Sequence, residues 1–90
     1  MDATLHVPQS EGERRKAATF IRGTLIECKL RNDWLILQLG REGFRIQPSA
    51  VSDLLAGRIR YPKGDEFLAR AERICKRYRQ SWSTTRQSGN

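Results

Sequence analysis

Residues that could do chemistry are few in this 90-residue chain, and they do not cluster. His6 is the only histidine, and neither Cys28 nor Cys75 has a second cysteine or a histidine at metal-ligand spacing. The sequence also lacks a glycine-rich phosphate loop and paired acids suited to general acid–base chemistry. We therefore expect no catalytic residue, metal, cofactor or small-molecule substrate, and hence a protein that is not an enzyme.

The two cysteines both fall on apolar helical positions, which favours reduced, buried thiols. A disulfide between them is the alternative. The chain has neither the run of roughly 18 apolar residues that a membrane span needs nor a signal-peptide pattern. These features predict a cytoplasmic protein with no membrane partner.

Positive charge is distributed unevenly along the chain, whose formal net charge is +7. Residues 1–57 contain eight Lys or Arg and seven Asp or Glu, a net charge of +1. Residues 58–90 contain nine against three, a net charge of +6. A field of this sign attracts polyanions such as nucleic acids. A charge that serves solubility, or one that binds an anionic membrane surface, remains an alternative.

The two ends of the chain differ in composition from its middle. Residues 1–12 contain Pro8 and Gly12 and have no hydrophobic period, so we expect a flexible N-terminal arm. Residues 83–90 are polar, and we expect them to form a flexible tail. Residues 13–82 then make up one domain, in which no internal repeat is visible.

The spacing of apolar side chains over Glu13–Lys29 predicts a first helix. Its apolar stripe consists of Ala17, Phe20, Ile21, Thr24, Leu25 and Cys28. A β-strand is the competing interpretation, because Thr19–Ile26 contains several β-branched residues. That strand would pair with Trp34–Leu39 across a short turn.

A second helix is predicted over Trp34–Glu42. Asn32 or Asp33 would cap it, because their side-chain oxygens can accept hydrogen bonds from the free N–H groups of a first helical turn. Gly43 would end the helix in the left-handed conformation that glycine adopts without strain.

Two further helices follow. Pro48 suits the first turn of the third helix, and Gly57 would end it. The predicted buried face of this helix consists of Val51, Leu54 and Leu55. Asp65 is the predicted N-cap of a last helix over Glu66–Trp82. The apolar stripe of that last helix consists of Phe67, Ala71, Ile74, Cys75, Tyr78 and Trp82.

The segment Pro48–Ile74 contains VSDLLAGRIRYP followed by a helix with apolar spacing. It resembles the second half of the lambda-repressor-like (Cro/C1-type, XRE) helix-turn-helix domain. The matching positions are Val51, Ser52, Leu54 or Leu55, Gly57, Arg58, Pro62, Phe67, Ala71 and Ile74. With Asn32–Gly43 as the first motif helix, the resemblance covers about Arg14–Tyr78. The connection Gly40–Gln47 is longer than the family's tight turn, and Ile36 stands where the family favours a small residue.

The resemblance implies an all-α fold, a small four- to five-helix bundle with a central helix-turn-helix. It also implies a sequence-specific regulator of transcription, a repressor of phage or bacterial type, that binds double-stranded DNA as a homodimer. The recognition helix Pro48–Ala56 would enter the major groove. The base-contacting residues it implies are Gln47, Pro48, Ser49, Ser52 and Asp53. The phosphate-contacting residues it implies are Asn32, Arg45, Arg58, Arg60, Tyr61 and Lys63.

Two other functions remain open at the level of sequence. A domain of the same fold could be a protein-interaction module that binds a regulatory or polymerase partner, because a fold does not determine a function. Alternatively, Thr19–Ile46 could form a three-stranded meander covered by the C-terminal helix, as in small single-strand-binding proteins, with Trp34 and Phe44 stacking on bases. Tyr78 and Trp82 are the candidates for a dimer contact.

Overall fold

A computed structural model describes residues 7–57 and 63–88, including the side chains up to Ser81. The described residues form four helices and no strand: α1 (Glu11–Glu27), α2 (Asn32–Arg41), α3 (Pro48–Ala56) and α4 (Gly64–Ser88). The predicted all-α class is therefore confirmed. Both strand interpretations, the pairing of Thr19–Ile26 with Trp34–Leu39 and the meander over Thr19–Ile46, are wrong. The helical stripe of apolar residues outweighs the β-branched composition, because it buries one continuous face.

Helix α1 begins and ends two residues earlier than the predicted span Glu13–Lys29. The hydroxyl of Ser10 accepts a hydrogen bond from the backbone N–H of Glu13 at 3.2 Å and so caps the helix. Glu11 and Glu13 lie in the first turn, where the helix dipole favours acidic side chains. After the helix ends, Lys29 adopts a left-handed conformation with φ +57°, and the N–H of Leu30 donates to a carbonyl of the last turn.

Helix α2 begins at Asn32, so Asn32 and Asp33 lie inside it and the prediction that one of them caps it is wrong. Arg31 occupies the N-cap position and makes no capping hydrogen bond with its side chain. The helix ends at Arg41, one residue before the predicted end at Glu42, and the predicted left-handed conformation of Gly43 is confirmed with φ +85°. The N–H of Phe44 then donates to the carbonyl of Leu39 at 2.9 Å, which turns the chain back towards the core.

The prediction for α3 is confirmed at both ends and on its buried face. Pro48 stands in the first turn, and Gly57 closes the helix with φ +75°. The buried side chains are Val51, Leu54 and Leu55.

Helix α4 differs from its prediction at both ends. It starts at Gly64, which places Asp65 in the first turn rather than at the N-cap, and the Asp65 carboxylate accepts a hydrogen bond from Arg14 Nε at 2.8 Å. Its backbone continues beyond Trp82 to Ser88, so the segment 83–88 that was expected to be a tail is helical.

The core is formed where α1 packs along α4 and against α3, with α2 between α3 and α4. Its most deeply buried side chains are Ile21, Thr24, Leu35, Leu39, Val51, Phe67 and Cys75. Cys28 and Cys75 carry free thiols. Desolvation raises the pKa of Cys75 to about 11. No helix in the described ranges is long and apolar enough to cross a membrane.

Candidate nucleic-acid interface

The first turn of α2 lies against α3. The side-chain amide of Asn32 donates a hydrogen bond to the Ser52 hydroxyl at 3.3 Å. Ser52 is exposed and Asn32 is half-buried, so this contact sits at the protein surface. It links the middle of α3 to the start of α2 and brings together one predicted phosphate contact and one predicted base contact.

The front of α3 presents polar side chains to solvent. Gln47, at the N-cap, is exposed, as are Pro48, Ser49 and Ser52. Asp53, the remaining predicted base contact, is half-buried. The apolar face of the same helix is turned into the core, and it leaves the polar face in a defined orientation.

Neither α2 nor α3 has its N-terminus capped by the side chain of its N-cap residue. The first N–H groups of an α-helix have no partner within the helix and point outwards along its axis. Because the helix dipole adds partial positive charge at this end, each of these two termini favours anionic groups.

The other predicted phosphate contacts are spread along the chain. Arg45 is exposed in the connection between α2 and α3, and Lys63 is exposed immediately before α4. Arg58, Arg60 and Tyr61 fall outside the described residues. Two arginines that the sequence interpretation missed complete the surface: Arg22 and Arg31 line a groove with Asn32 and Ser52. Arg31 directly precedes the predicted cap Asn32, and this position was the one feature of the sequence that could have indicated its role.

Most described arginines of α4 are held in ion pairs within the fold. Arg70 pairs with Glu66 at 2.8 Å and with Glu42 at 3.0 Å, and Arg73 pairs with the same Glu42 oxygen at 2.9 Å. Arg79 pairs with Glu27 at 2.6 Å. The hydrogen bond to Glu66 is the largest cause of a raised pKa at Arg70.

Among the described residues, part of the positive charge that the sequence places after Gly57 is therefore neutralised by acids from before it. Glu27 and Glu42 belong to the nearly neutral part of the sequence, and they bind cations of its basic part. Conversely, Arg22, Arg31 and Arg45 are exposed and form no ion pair with any side chain that the structure describes.

Two further observations bear on the predicted site. Tyr78, a candidate for a dimer contact, is half-buried and packs edge-on against Trp34, with ring centroids 5.1 Å apart. The side chain of Trp82, the other candidate, is outside the described set. No group of three or more potential metal ligands occurs among the described residues.

Comparison with protein-family models, with curated proteins and with solved structures finds no match for this chain. The helix-turn-helix resemblance therefore depends on the sequence motif, and the function it implies is a proposal.

Proposed function

We propose that this chain is a sequence-specific double-stranded DNA-binding regulator of transcription, with α2 and α3 as a helix-turn-helix and α3 as the recognition helix. The observation that carries the proposal is the Asn32–Ser52 hydrogen bond at 3.3 Å. Because this bond joins the uncapped first turn of α2 to the exposed polar face of α3, one surface combines a phosphate-binding element with a base-reading element.

Helix α3 reads bases from its N-terminal end, since the major groove is wide enough to admit an α-helix. Gln47 and Ser49 hydrogen-bond base edges, and Pro48 contacts a thymine methyl group. Ser52 stays at the groove wall with Asn32. Asp53 accepts a hydrogen bond from a cytosine amino group.

Phosphates are bound around this helix by the open start of α2 and by flanking cations. Arg31 and Arg22 lie on the α1–α2 side, where they form no ion pair with a described side chain. Arg45 and Lys63 are exposed elsewhere along the chain. Arg58, Arg60 and Tyr61 belong to the same proposal through the sequence resemblance. The protein acts as a cytoplasmic homodimer, has no catalytic activity and needs no cofactor.

The test separates base reading from phosphate binding. A duplex is first selected from random sequences, and Gln47→Ala/Ser49→Ala is then titrated against the selected and a scrambled duplex. Loss of good base contacts weakens specific binding by about 1–3 kcal/mol, whereas nonspecific binding stays nearly constant because phosphates supply it. Arg15→Ala/Lys16→Ala, which alters two exposed residues of α1, is the control for a general surface effect.

Two results would contradict the proposal. If no duplex sequence is enriched above a random pool, α3 does not read bases. If the Gln47→Ala/Ser49→Ala variant and the wild type bind both duplexes equally, the polar face of α3 is not in contact with DNA.

A further inference from the structure

A second surface lies between α2 and α4, and α3 contributes no described residue to it. It is a groove whose lining includes Trp34, Gln38 and Arg41 from α2 and Ile74, Arg77 and Tyr78 from α4. The rings of Trp34 and Tyr78 meet at an interplanar angle of 66°. Both rings line the groove and are half-buried, so part of each ring remains open to solvent.

The charge of this groove is one-sided. Arg41 and Arg77 are exposed and form no ion pair with a described side chain. Glu42 is the only acid among the described residues that line the groove, and its Oε1 already accepts hydrogen bonds from Arg70 and Arg73 at 3.0 and 2.9 Å. Two uncommitted guanidinium groups therefore stand beside an aromatic surface.

Leu37 does not line the groove, but it is an exposed leucine on the same helix. Leu37 is 55% exposed, although most large aliphatic side chains of the described core are buried. It lies three residues after Trp34 and four before Arg41, so all three side chains share one side of α2. The contacts of the described fold give no reason for an exposed leucine here.

We propose that the groove between α2 and α4 binds an acidic peptide segment of a partner protein. Carboxylates of the segment pair with Arg41 and Arg77, and an aromatic or aliphatic side chain packs against Trp34, Tyr78 and Leu37. A second copy of this chain fits less well. In a symmetric contact, Arg41 and Arg77 of one copy would face the same two arginines of the other, and like charges repel. This proposal goes beyond DNA binding and uses none of the residues of α3.

The test uses the full chain and a fluorescein-labelled acidic peptide, EEDLFEDL, measured by fluorescence anisotropy. Arg41→Glu/Arg77→Glu should weaken binding by at least about tenfold, since two attractive pairs become repulsive. Arg15→Glu/Lys16→Glu changes the net charge equally at two exposed positions of α1 and should leave the affinity within about twofold. Leu37→Ser should weaken binding of the peptide about threefold to tenfold, because an apolar contact is lost, and it should leave the protein folded.

The same variants separate this proposal from the proposed DNA-binding function. Arg41→Glu/Arg77→Glu should bind the selected duplex as tightly as Arg15→Glu/Lys16→Glu does, and the Gln47→Ala/Ser49→Ala variant should bind the peptide like the wild type. The proposal is overturned if the wild type does not bind the peptide. It is also overturned if Arg41→Glu/Arg77→Glu and Arg15→Glu/Lys16→Glu weaken peptide binding equally. It is overturned equally if Arg41→Glu/Arg77→Glu selectively loses duplex DNA, or if it dissolves a homodimer in sedimentation.

Discussion

Three arginines of α4, Arg70, Arg73 and Arg79, have the same chemistry as those around the start of α2 but different surroundings. On α4, Arg70 lies 5.6 Å from the ring centre of Phe44 and Arg79 lies 5.3 Å from that of Phe20, and both also bind acids of neighbouring helices. Arg31 is exposed and pairs with no described side chain. The availability of a charge to a ligand therefore depends on where the acids of the fold lie, which a count of charges along the sequence does not measure.

The α4 region holds the fold together, whereas the α2–α3 surface adds little stability. Phe67 of α4 is fully buried in the core, and the Arg79 guanidinium donates to the buried Thr24 hydroxyl at 2.7 Å. In contrast, the Asn32–Ser52 hydrogen bond lies at an exposed position. We expect substitutions in the first region to change stability and those in the second to change binding.

The largest expected effect follows from truncating a buried side chain of α4. Phe67→Ala should lower the free energy of unfolding by about 3–5 kcal/mol, because it removes a fully buried ring and leaves a cavity. Urea denaturation followed by circular dichroism measures this loss. Phe20→Ala is the matched control, since Phe20 is only half-buried, and it should cost less. Equal losses of stability in the two variants would contradict the expectation that the fully buried Phe67 matters more than the half-buried Phe20.

A pH effect should come from Cys75. Its pKa is raised by burial to about 11 from 9.0, so the folded state disfavours the thiolate that the unfolded chain forms. The stability is complete below pH 9 and is lost between about pH 9 and 11, with roughly 1.4 kcal/mol lost at pH 10. Cys75→Ala should lower stability at neutral pH through its cavity but flatten the alkaline decline. A parallel decline in both proteins would assign it to other groups.

The acid that joins α2 to α4 should have a smaller effect. Glu42→Gln removes the charge that Arg70 and Arg73 share, and it should cost about 1 kcal/mol because the pairs are partly solvent-screened. Glu72→Gln disrupts an exposed contact with Lys76 at 3.7 Å and should cost less than about 0.5 kcal/mol. Thermal melts of the two variants measure the difference. If Glu72→Gln proves as costly, the shared pairs on Glu42 have no special role.

The smallest effect on stability is expected at the α2–α3 contact. Asn32→Ala removes one exposed hydrogen bond, so the free energy of unfolding should change by less than about 0.5 kcal/mol. Its affinity for the selected duplex should nevertheless fall, because Asn32 is a proposed phosphate contact and α3 loses its side-chain link to α2. Denaturation and duplex titration of the same sample measure both quantities. A stability loss with unchanged affinity would reverse the roles assigned to the two regions.

The sequence predicted much of the local structure. Helical spacing gave the buried face of α3, and glycine chemistry gave the left-handed ends at Gly43 and Gly57, because both depend on neighbouring residues. The exposed positions of Gln47 and Ser49 followed from the same periodicity.

The contacts between distant residues could not be predicted in this way. Arg14 and Asp65, and equally Glu42 and Arg73, are brought together by helix packing, which no local pattern encodes. The Asn32–Ser52 hydrogen bond is another such contact. Because the sequence shows only the local neighbours of Asn32, it predicted a capping role for this residue instead. The left-handed conformation of Lys29, just after the end of α1, was not predicted either. Glycine or asparagine usually occupies such a position, so a lysine gave no signal for it.

The pairing of α1 with α4 has a consequence for synthesis on the ribosome. Ile21 and Leu25 are buried in a core to which Phe67 and Ile74 of the last helix contribute. While the chain is being translated, α1 emerges first but lacks the helix that covers much of its apolar face until α4 has left the exit tunnel. We therefore expect this core to close only after α4 has been synthesised, so that the apolar face of α1 stays exposed to solvent for that interval.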